Sequence, residues 1–150
     1  MPFVSPKKSL GQNFLRDENI AKKIIEAVDP TAEDVLLEIG SGHGVLTKYI
    51  FNKVQHFLAF EIDKRVIEEL REKYASPIAD FFLQDFLEAD LLSIRKKYSS
   101  SLRIVGNIPY NITSPILFKL FDEEENTIHD ATIMMQHDVA KRLEIGRAHV

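Results

Sequence analysis

The stretch Val35-Leu36-Leu37-Glu38-Ile39-Gly40-Ser41-Gly42-His43-Gly44 decides the fold of this chain. Its first five residues are almost entirely apolar, which is typical of a strand buried in a parallel sheet. Three of the chain's six glycines follow at once, and apolar residues then recur at helical spacing over 45–54. The stretch therefore predicts a strand, a glycine loop and a helix. In this arrangement the loop backbone can approach a ligand closely, and the helix amino terminus can bind its polar groups.

The same alternation of strand and helix continues on both sides of this stretch. Further strands are predicted at 57–62, 78–83, 102–105 and 132–135, and further helices at 18–28, 64–74, 86–98 and 116–121. Asp63 is the predicted N-cap of the helix that starts at Lys64. Strands that alternate with helices form a parallel sheet covered on both faces. The predicted fold class is therefore α/β, doubly wound, with a mainly parallel sheet.

Composition narrows the classes of function. The chain has 150 residues, enough for one domain, and no cysteine, which excludes disulfides, thiolate zinc sites and cysteine nucleophiles. No apolar run is long enough to span a membrane and no signal peptide is recognisable, so a cytoplasmic location is expected. The five histidines lack the spacing of metal ligands, and no metal is expected. The net charge is −4, but the first sixteen residues are basic.

Two acidic residues are candidates for binding a nucleoside beside the glycine loop. Glu61 follows Gly40 by 21 positions and ends the second predicted strand, where a carboxylate can accept both hydroxyls of a ribose. Asp85 ends the third strand and can accept a hydrogen bond from an adenine amino group, with Phe86 against the ring. For Asp85 and Phe86 the alternative is a capping residue followed by a core aromatic. For the loop the alternative is a tight turn without a ligand.

The loop departs from the pattern of dinucleotide-binding proteins. That pattern needs Gly or Ala three residues after its second glycine, and Val45 stands there instead. A pyrophosphate ligand is therefore disfavoured, and an adenosine-type ligand without one is favoured.

The segment Asn107-Ile108-Pro109-Tyr110 follows the fourth predicted strand, at the edge of the sheet where ligands collect. An aminated base needs acceptors for its N–H groups, which Asn107 and nearby carbonyls supply, and an aromatic face to stack on, which Tyr110 supplies. Pro109 fixes the local backbone. The alternative is a proline turn with a packed tyrosine.

These motifs together resemble the rRNA adenine N6-dimethyltransferases. The resemblance rests on Gly11-Gln12-Asn13-Phe14-Leu15, the glycine loop, Glu61, Asp85 and Asn107-Ile108-Pro109-Tyr110-Asn111-Ile112, and it spans most of the chain. Residues 134–143 are similar to the small-subunit (16S) members of the family in particular. The macrolide-resistance members, which act on the large-subunit (23S) rRNA, share the first and last of these motifs and stay open as the alternative.

The resemblance implies a Rossmann-like methyltransferase fold that binds S-adenosylmethionine. It implies cofactor contacts from a set of residues in five parts of the chain: Asn13, Leu15, Gly40, Gly42, Glu61, Asp85 and Asn107. It implies that Asn107, Pro109 and Tyr110 serve catalysis. The substrate it implies is a pair of adjacent adenines in the 3′-terminal hairpin of small-subunit rRNA, methylated in the pre-30S particle during ribosome biogenesis by a monomer.

The family pattern continues beyond residue 143 into further strands and a C-terminal helical domain. We therefore expect residues 1–145 to be an incomplete, truncated methyltransferase domain and residues 146–150 to be an atypical tail. Two other hypotheses remain open at this stage. One is a fragment that binds cofactor and RNA without catalysis, and the other is a nicotinamide-dependent oxidoreductase, favoured only by the sheet and the glycine loop.

Overall fold

The computed structural model describes residues 18–108 and 111–134. Its five strands are β1 (Val35–Ile39), β2 (His56–Glu61), β3 (Ala79–Leu83), β4 (Leu102–Asn107) and β5 (Ile128–Met134). Its α-helices are α1 (Glu18–Val28), α2 (Thr47–Ile50), α3 (Lys64–Lys73), α4 (Leu91–Tyr98) and α5 (Thr113–Phe121), and a 3₁₀ turn spans Phe86–Glu88.

The five strands form one parallel sheet in the order β3-β2-β1-β4-β5. The chain moves outward from β1 to β3 on one side and from β4 to β5 on the other. The point where this direction reverses, between β1 and β4, is where open α/β sheets bind ligands, outside the carboxyl ends of the strands. The predicted doubly wound α/β class is confirmed, and all the strand pairs are parallel.

The core has two layers, one on each face of the sheet. On one face α1, α2 and α3 cover alternate residues of the strands, among them Leu36, Phe57 and Val105. On the other face α4 and α5 cover the intervening residues, among them Leu37 and Ile104. Every residue of β1 is buried because helices cover both faces, which explains why four of its five residues are apolar.

Two predicted helices differ from those observed. The helix predicted over 86–98 is divided into the 3₁₀ turn and α4, because two aspartates each cap a separate segment: Asp85 accepts from Leu87 N–H and Asp90 accepts from Ser93 N–H. The helix predicted over 45–54 contains only the four α-helical residues of α2, flanked by turns. The remaining predicted boundaries that fall on described residues lie within a few residues of those observed.

No helix within the described ranges combines the length and the apolar character that crossing a membrane requires. In the same ranges no three His, Asp or Glu side chains come together as metal ligands would.

Candidate functional site at the carboxyl edge of the sheet

The glycine loop connects β1 to α2 at the carboxyl edge of the sheet. Gly40, Gly42 and Gly44 all have positive φ, of 67°, 55° and 77°, a region that other residues rarely adopt. A side chain at Gly44 would in addition lie 3.0 Å from atoms of both Leu70 and Tyr74. Gly40 and Gly42 are therefore partly exposed backbone without a side chain, whereas Gly44 is buried and allows the loop to pack against α3.

Glu38 lies in β1, two residues before Gly40. Its side chain is 1% exposed and accepts a hydrogen bond from the Thr47 hydroxyl of α2, with 2.5 Å between the oxygens. Burial raises the pKa of Glu38 to about 7, and the nearby carboxylate of Glu61 adds to the increase while the Thr47 hydrogen bond opposes it. Glu38 therefore links the start of α2 to β1 through a hydrogen bond, and it takes up its proton as the pH falls below neutral.

Glu61 lies at the end of β2 and faces the glycine loop, as the sequence predicts. Its Oε2 accepts from Ile62 N–H at 2.7 Å and Asp63 N–H at 3.0 Å, and its Oε1 accepts from Gly42 N–H at 3.4 Å. Burial raises the pKa of Glu61, although these three donors act to lower it. Within residues 18–108 and 111–134, Oε1 accepts only this long hydrogen bond from Gly42, so it is the oxygen with capacity to accept from a ligand hydroxyl.

Asp85 lies two residues beyond β3, the strand that pairs with the strand of Glu61. Its Oδ1 accepts from Leu87 N–H at 3.0 Å, so it caps the 3₁₀ turn. Phe86 is only 4% exposed and packs edge-on against Phe60, with ring centroids 6.1 Å apart. The alternative of a capping aspartate and a core aromatic is therefore correct for Phe86, which is not available to a ligand ring here.

Asn107 is the last residue of β4 and lies beside the glycine loop. The strand register pairs Ile39 with Gly106, which places Asn107 next to Gly40. A Cβ atom on Gly40 would lie 3.8 Å from the main-chain oxygen of Asn107. The structure thus brings together Gly40, Gly42, Glu61 and Asn107, with Asp85 following the neighbouring strand. The other predicted site residues, Asn13, Leu15, Pro109 and Tyr110, lie outside the described residues.

Two apolar residues at this edge were not predicted as part of the site. Ile62 directly follows Glu61 and is 44% exposed, and Leu83 ends β3 two residues before Asp85 and is 45% exposed. Glu61 and Leu83 are register partners, so both exposed apolar side chains belong to the ends of the same strand pair. Both side chains are therefore open to apolar contact with a ligand at this edge. The signal that could have found them is their position beside each candidate carboxylate.

Comparison with known proteins agrees with this geometry. The family model described as "Ribosomal RNA adenine dimethylase" matches residues 4–148. A curated relative from Chlorobium phaeobacteroides (strain BS1), "Ribosomal RNA small subunit methyltransferase A", is 47% identical over 140 residues, which cover 93% of this chain and 52% of the relative. The chain spans about half the length of the curated relatives it matches.

Two solved structures share the fold. The 23S rRNA methyltransferase ErmE aligns with a TM-score of 0.74 and 32% identity, covering 86% of this chain and 50% of ErmE. A dimethyladenosine transferase from Plasmodium falciparum aligns with a TM-score of 0.75 and 26% identity, covering 88% of this chain and 46% of the other.

Proposed function

The chain belongs to the ribosomal RNA adenine dimethylase family, and from this premise we propose that it provides the S-adenosylmethionine-binding domain of a small-subunit rRNA adenine N6-dimethyltransferase. Residues 1–145 are the proposed domain. The proposed substrate is the pair of adjacent adenines in the 3′-terminal hairpin of the 16S rRNA within the pre-30S particle. The proposed enzyme acts as a monomer and without a metal ion.

One observation supports the proposal most directly. The glycine loop, Glu61 and Asn107 lie together at the carboxyl edge of the sheet, where the direction of the strand order reverses. The residues present fit an adenosine-type cofactor. The loop offers backbone without side chains, Glu61 offers a carboxylate oxygen for the ribose, and Asp85 offers a carboxylate beside the exposed Ile62 and Leu83 for the adenine. Asn13 and Leu15 are proposed as further cofactor contacts on the strength of the sequence motif alone.

When bound, S-adenosylmethionine supplies a methyl group activated by its sulfonium. The chain's own residues would hold the N6 atom of the target adenine toward the bound methyl donor, and such positioning lowers the barrier of a direct transfer, in which the displaced N6 proton would pass to solvent. Asn107 and the Pro109 carbonyl accept hydrogen bonds from the N6 hydrogens, which concentrates electron density on the attacking nitrogen. Tyr110 stacks on the extruded base. No covalent intermediate with the protein is needed.

The small-subunit target is proposed ahead of the large-subunit one for a specific reason. The curated relatives that cover 91–93% of this chain at 40–47% identity carry the name of the small-subunit enzyme. The similarity of residues 134–143 to that branch supports the same choice. The 32% identity with ErmE keeps a large-subunit target as the competing candidate.

The test is methyl transfer from tritiated S-adenosylmethionine to two substrates. One is immature 30S particles, which contain the 3′-terminal hairpin of the small-subunit rRNA, and the other is purified large-subunit rRNA. The proposal predicts label in the small-subunit RNA, recovered as N6,N6-dimethyladenosine by mass spectrometry. Label confined to the large-subunit RNA would establish the competing target. Cofactor binding without label in either RNA would show a cofactor-binding fragment that does not catalyse.

A further inference from the structure

Gly106 lies at a point of β4 where the neighbouring strand β1 leaves no room for a side chain. Neighbouring strands in a sheet lie about 4.8 Å apart. A Cβ atom on Gly106 would lie 2.9 Å from the main-chain oxygen of Ile39 and 3.0 Å from the Cβ atom of Ile39. Real Cβ atoms do not approach other atoms so closely, so any side chain at 106 would force the two strands apart. Gly106 is buried between β1 and β5, with Ile39 and Ile133 as its register partners.

This contact lies one residue before each of the two functional loops. Ile39 precedes Gly40, and Gly106 precedes Asn107. The spacing of Ile39 and Gly106 therefore sets the separation of Gly40 and Asn107, where a Cβ atom on Gly40 would lie 3.8 Å from the main-chain oxygen of Asn107. The contact of Ile39 with Gly106 thus fixes two features at once: the glycine loop, which is proposed to bind the cofactor, and Asn107, which is proposed to face the target base.

We infer that Gly106 is a positioning residue, which holds Asn107 against the glycine loop so that the methyl donor and the acceptor base share one crevice. This inference rests on the proposed function, since Asn107 is a proposed contact of the cofactor and of the target adenine. It goes further by assigning a role to a residue that touches neither. A methyl group at 106 would separate β4 from β1 and move Asn107 away from the loop.

The matched variants are Gly106→Ala and Val105→Ala in the 150-residue chain. Val105 is the neighbouring residue of β4, fully buried against the opposite face of the sheet, so its truncation weakens the same strand without pressing on Ile39. Titration calorimetry with S-adenosylmethionine gives the affinity of each variant at a temperature where circular dichroism shows it folded. ¹⁵N NMR spectra follow the side-chain amide of Asn107, identified by its loss in Asn107→Asp.

The expected result is an affinity at least tenfold lower in Gly106→Ala and within threefold of the unsubstituted chain in Val105→Ala. The Asn107 amide signal is expected to shift on cofactor addition in the unsubstituted chain and in Val105→Ala, but not in Gly106→Ala. A merely structural role for Gly106 would not separate two folded variants in this way. A folded Gly106→Ala that keeps its affinity and the Asn107 response would overturn the inference.

If Gly106→Ala is unfolded in buffer, all three proteins are compared in trimethylamine N-oxide, which favours the folded state. A variant still unfolded there would overturn the inference, because Gly106 would then be a requirement of the fold. Failure of the proposed function is distinguishable from both outcomes: the unsubstituted chain itself would be folded and would not bind S-adenosylmethionine, and the inference would fall with it.

Discussion

At the scale of single residues, the carboxylate of Glu38 links the stability of the fold to pH. Its side chain is 1% exposed, and burial raises its pKa to about 7 from an ordinary 4.5. Between these two values the folded chain holds a proton that the unfolded chain has lost. The contribution of Glu38 to folding is therefore fully present below the lower value and is lost as the pH rises through the higher one.

The substitution Glu38→Gln removes this titration and keeps an acceptor for the Thr47 hydroxyl. As the pH rises from 4.5 to about 7, the unsubstituted chain should lose stability and the variant should not. The free energy of unfolding of the variant, relative to that of the unsubstituted chain, should therefore increase by about 3 kcal/mol over this range. Urea denaturation at a series of pH values measures the difference. A difference that stays constant with pH would show that Glu38 has the same pKa in the folded chain as in the unfolded chain.

Asn107 is the residue on which the proposed chemistry depends most. Asn107→Ala removes the side-chain acceptor that is proposed to bind the N6 hydrogens, so the rate of methyl transfer should fall by about 100-fold. The rate is measured with tritiated cofactor at saturating concentration, so that any loss of affinity is excluded. Thr113→Ser, at the start of α5, is the control that should keep its rate. Nearly equal rates for Asn107→Ala and the unsubstituted chain would exclude the role.

At the scale of the elements, aspartate caps place the ends of the helices around the site. Asp63 precedes α3, is 4% exposed, and accepts from the main-chain N–H of Arg65 at 3.0 Å. Its own N–H in turn donates to Glu61 at 3.0 Å. The cap of α3 and the proposed ribose acceptor are thus adjacent parts of one turn.

The substitution Asp63→Ala removes the cap, and the free energy of unfolding should decrease by about 1–2 kcal/mol. The backbone N–H that holds Glu61 remains, so the affinity for S-adenosylmethionine should change by less than tenfold. Asp63→Asn, which retains a capping oxygen, is the matched variant and should recover most of the stability. Equal losses in the two variants would show that the ion pair with Arg65, and not the cap, is the source of the stability.

Most elements could be predicted from the sequence because their signals are local. The buried strand Val35–Ile39, the helix Glu18–Val28 and the cap at Asp63 depend on residues close in the chain. The division of the helix predicted over 86–98 depended on two competing caps. The burial of Phe86 depended on Phe60, which lies 26 positions earlier in the chain, so no local pattern could show it.

For the residues of the site, too, local sequence predicts some positions and misses others. The glycine loop, Glu61 and Asn107 are brought together as expected, since the carboxyl ends of parallel strands share one edge. Ile62 and Leu83 were missed because apolar residues at strand ends ordinarily predict core, and their exposure depends on the packing of the whole edge. The close contact of Gly106 with Ile39 depends on strand pairing 67 positions apart, which a single sequence does not specify.

At the scale of the whole molecule, Arg103 joins several elements at the amino edge of the sheet, opposite the site. Its guanidinium donates to Asp130 of β5, to Asp34 before β1, and to the main-chain oxygens of Val28 and Asp29 at the end of α1. The Arg103 side chain is 12% exposed. Although burial opposes it, hydrogen bonds from Thr31 and Arg103 hold the pKa of Asp34 below its usual value.

The substitution Arg103→Met leaves these acceptors partly buried without their donor. The free energy of unfolding should fall by about 3 kcal/mol, measured by urea denaturation. Lys64→Met is the control: its side chain is 75% exposed and lies 3.7 Å from Glu68, so its loss should cost about 0.5 kcal/mol or less. Because Arg103 lies at the opposite edge, its loss should leave cofactor affinity unchanged in the folded protein. Similar costs for the two variants would show that the network contributes little.

The central claim is that the carboxyl edge of this sheet binds S-adenosylmethionine. The most direct measurement is calorimetric titration of the 150-residue chain with S-adenosylmethionine, and with S-adenosylhomocysteine and NAD in parallel, after circular dichroism has shown the chain to be folded. The account predicts binding of the first two ligands at one site per chain and no binding of NAD. A folded chain that binds NAD, or that binds none of the three, would contradict it.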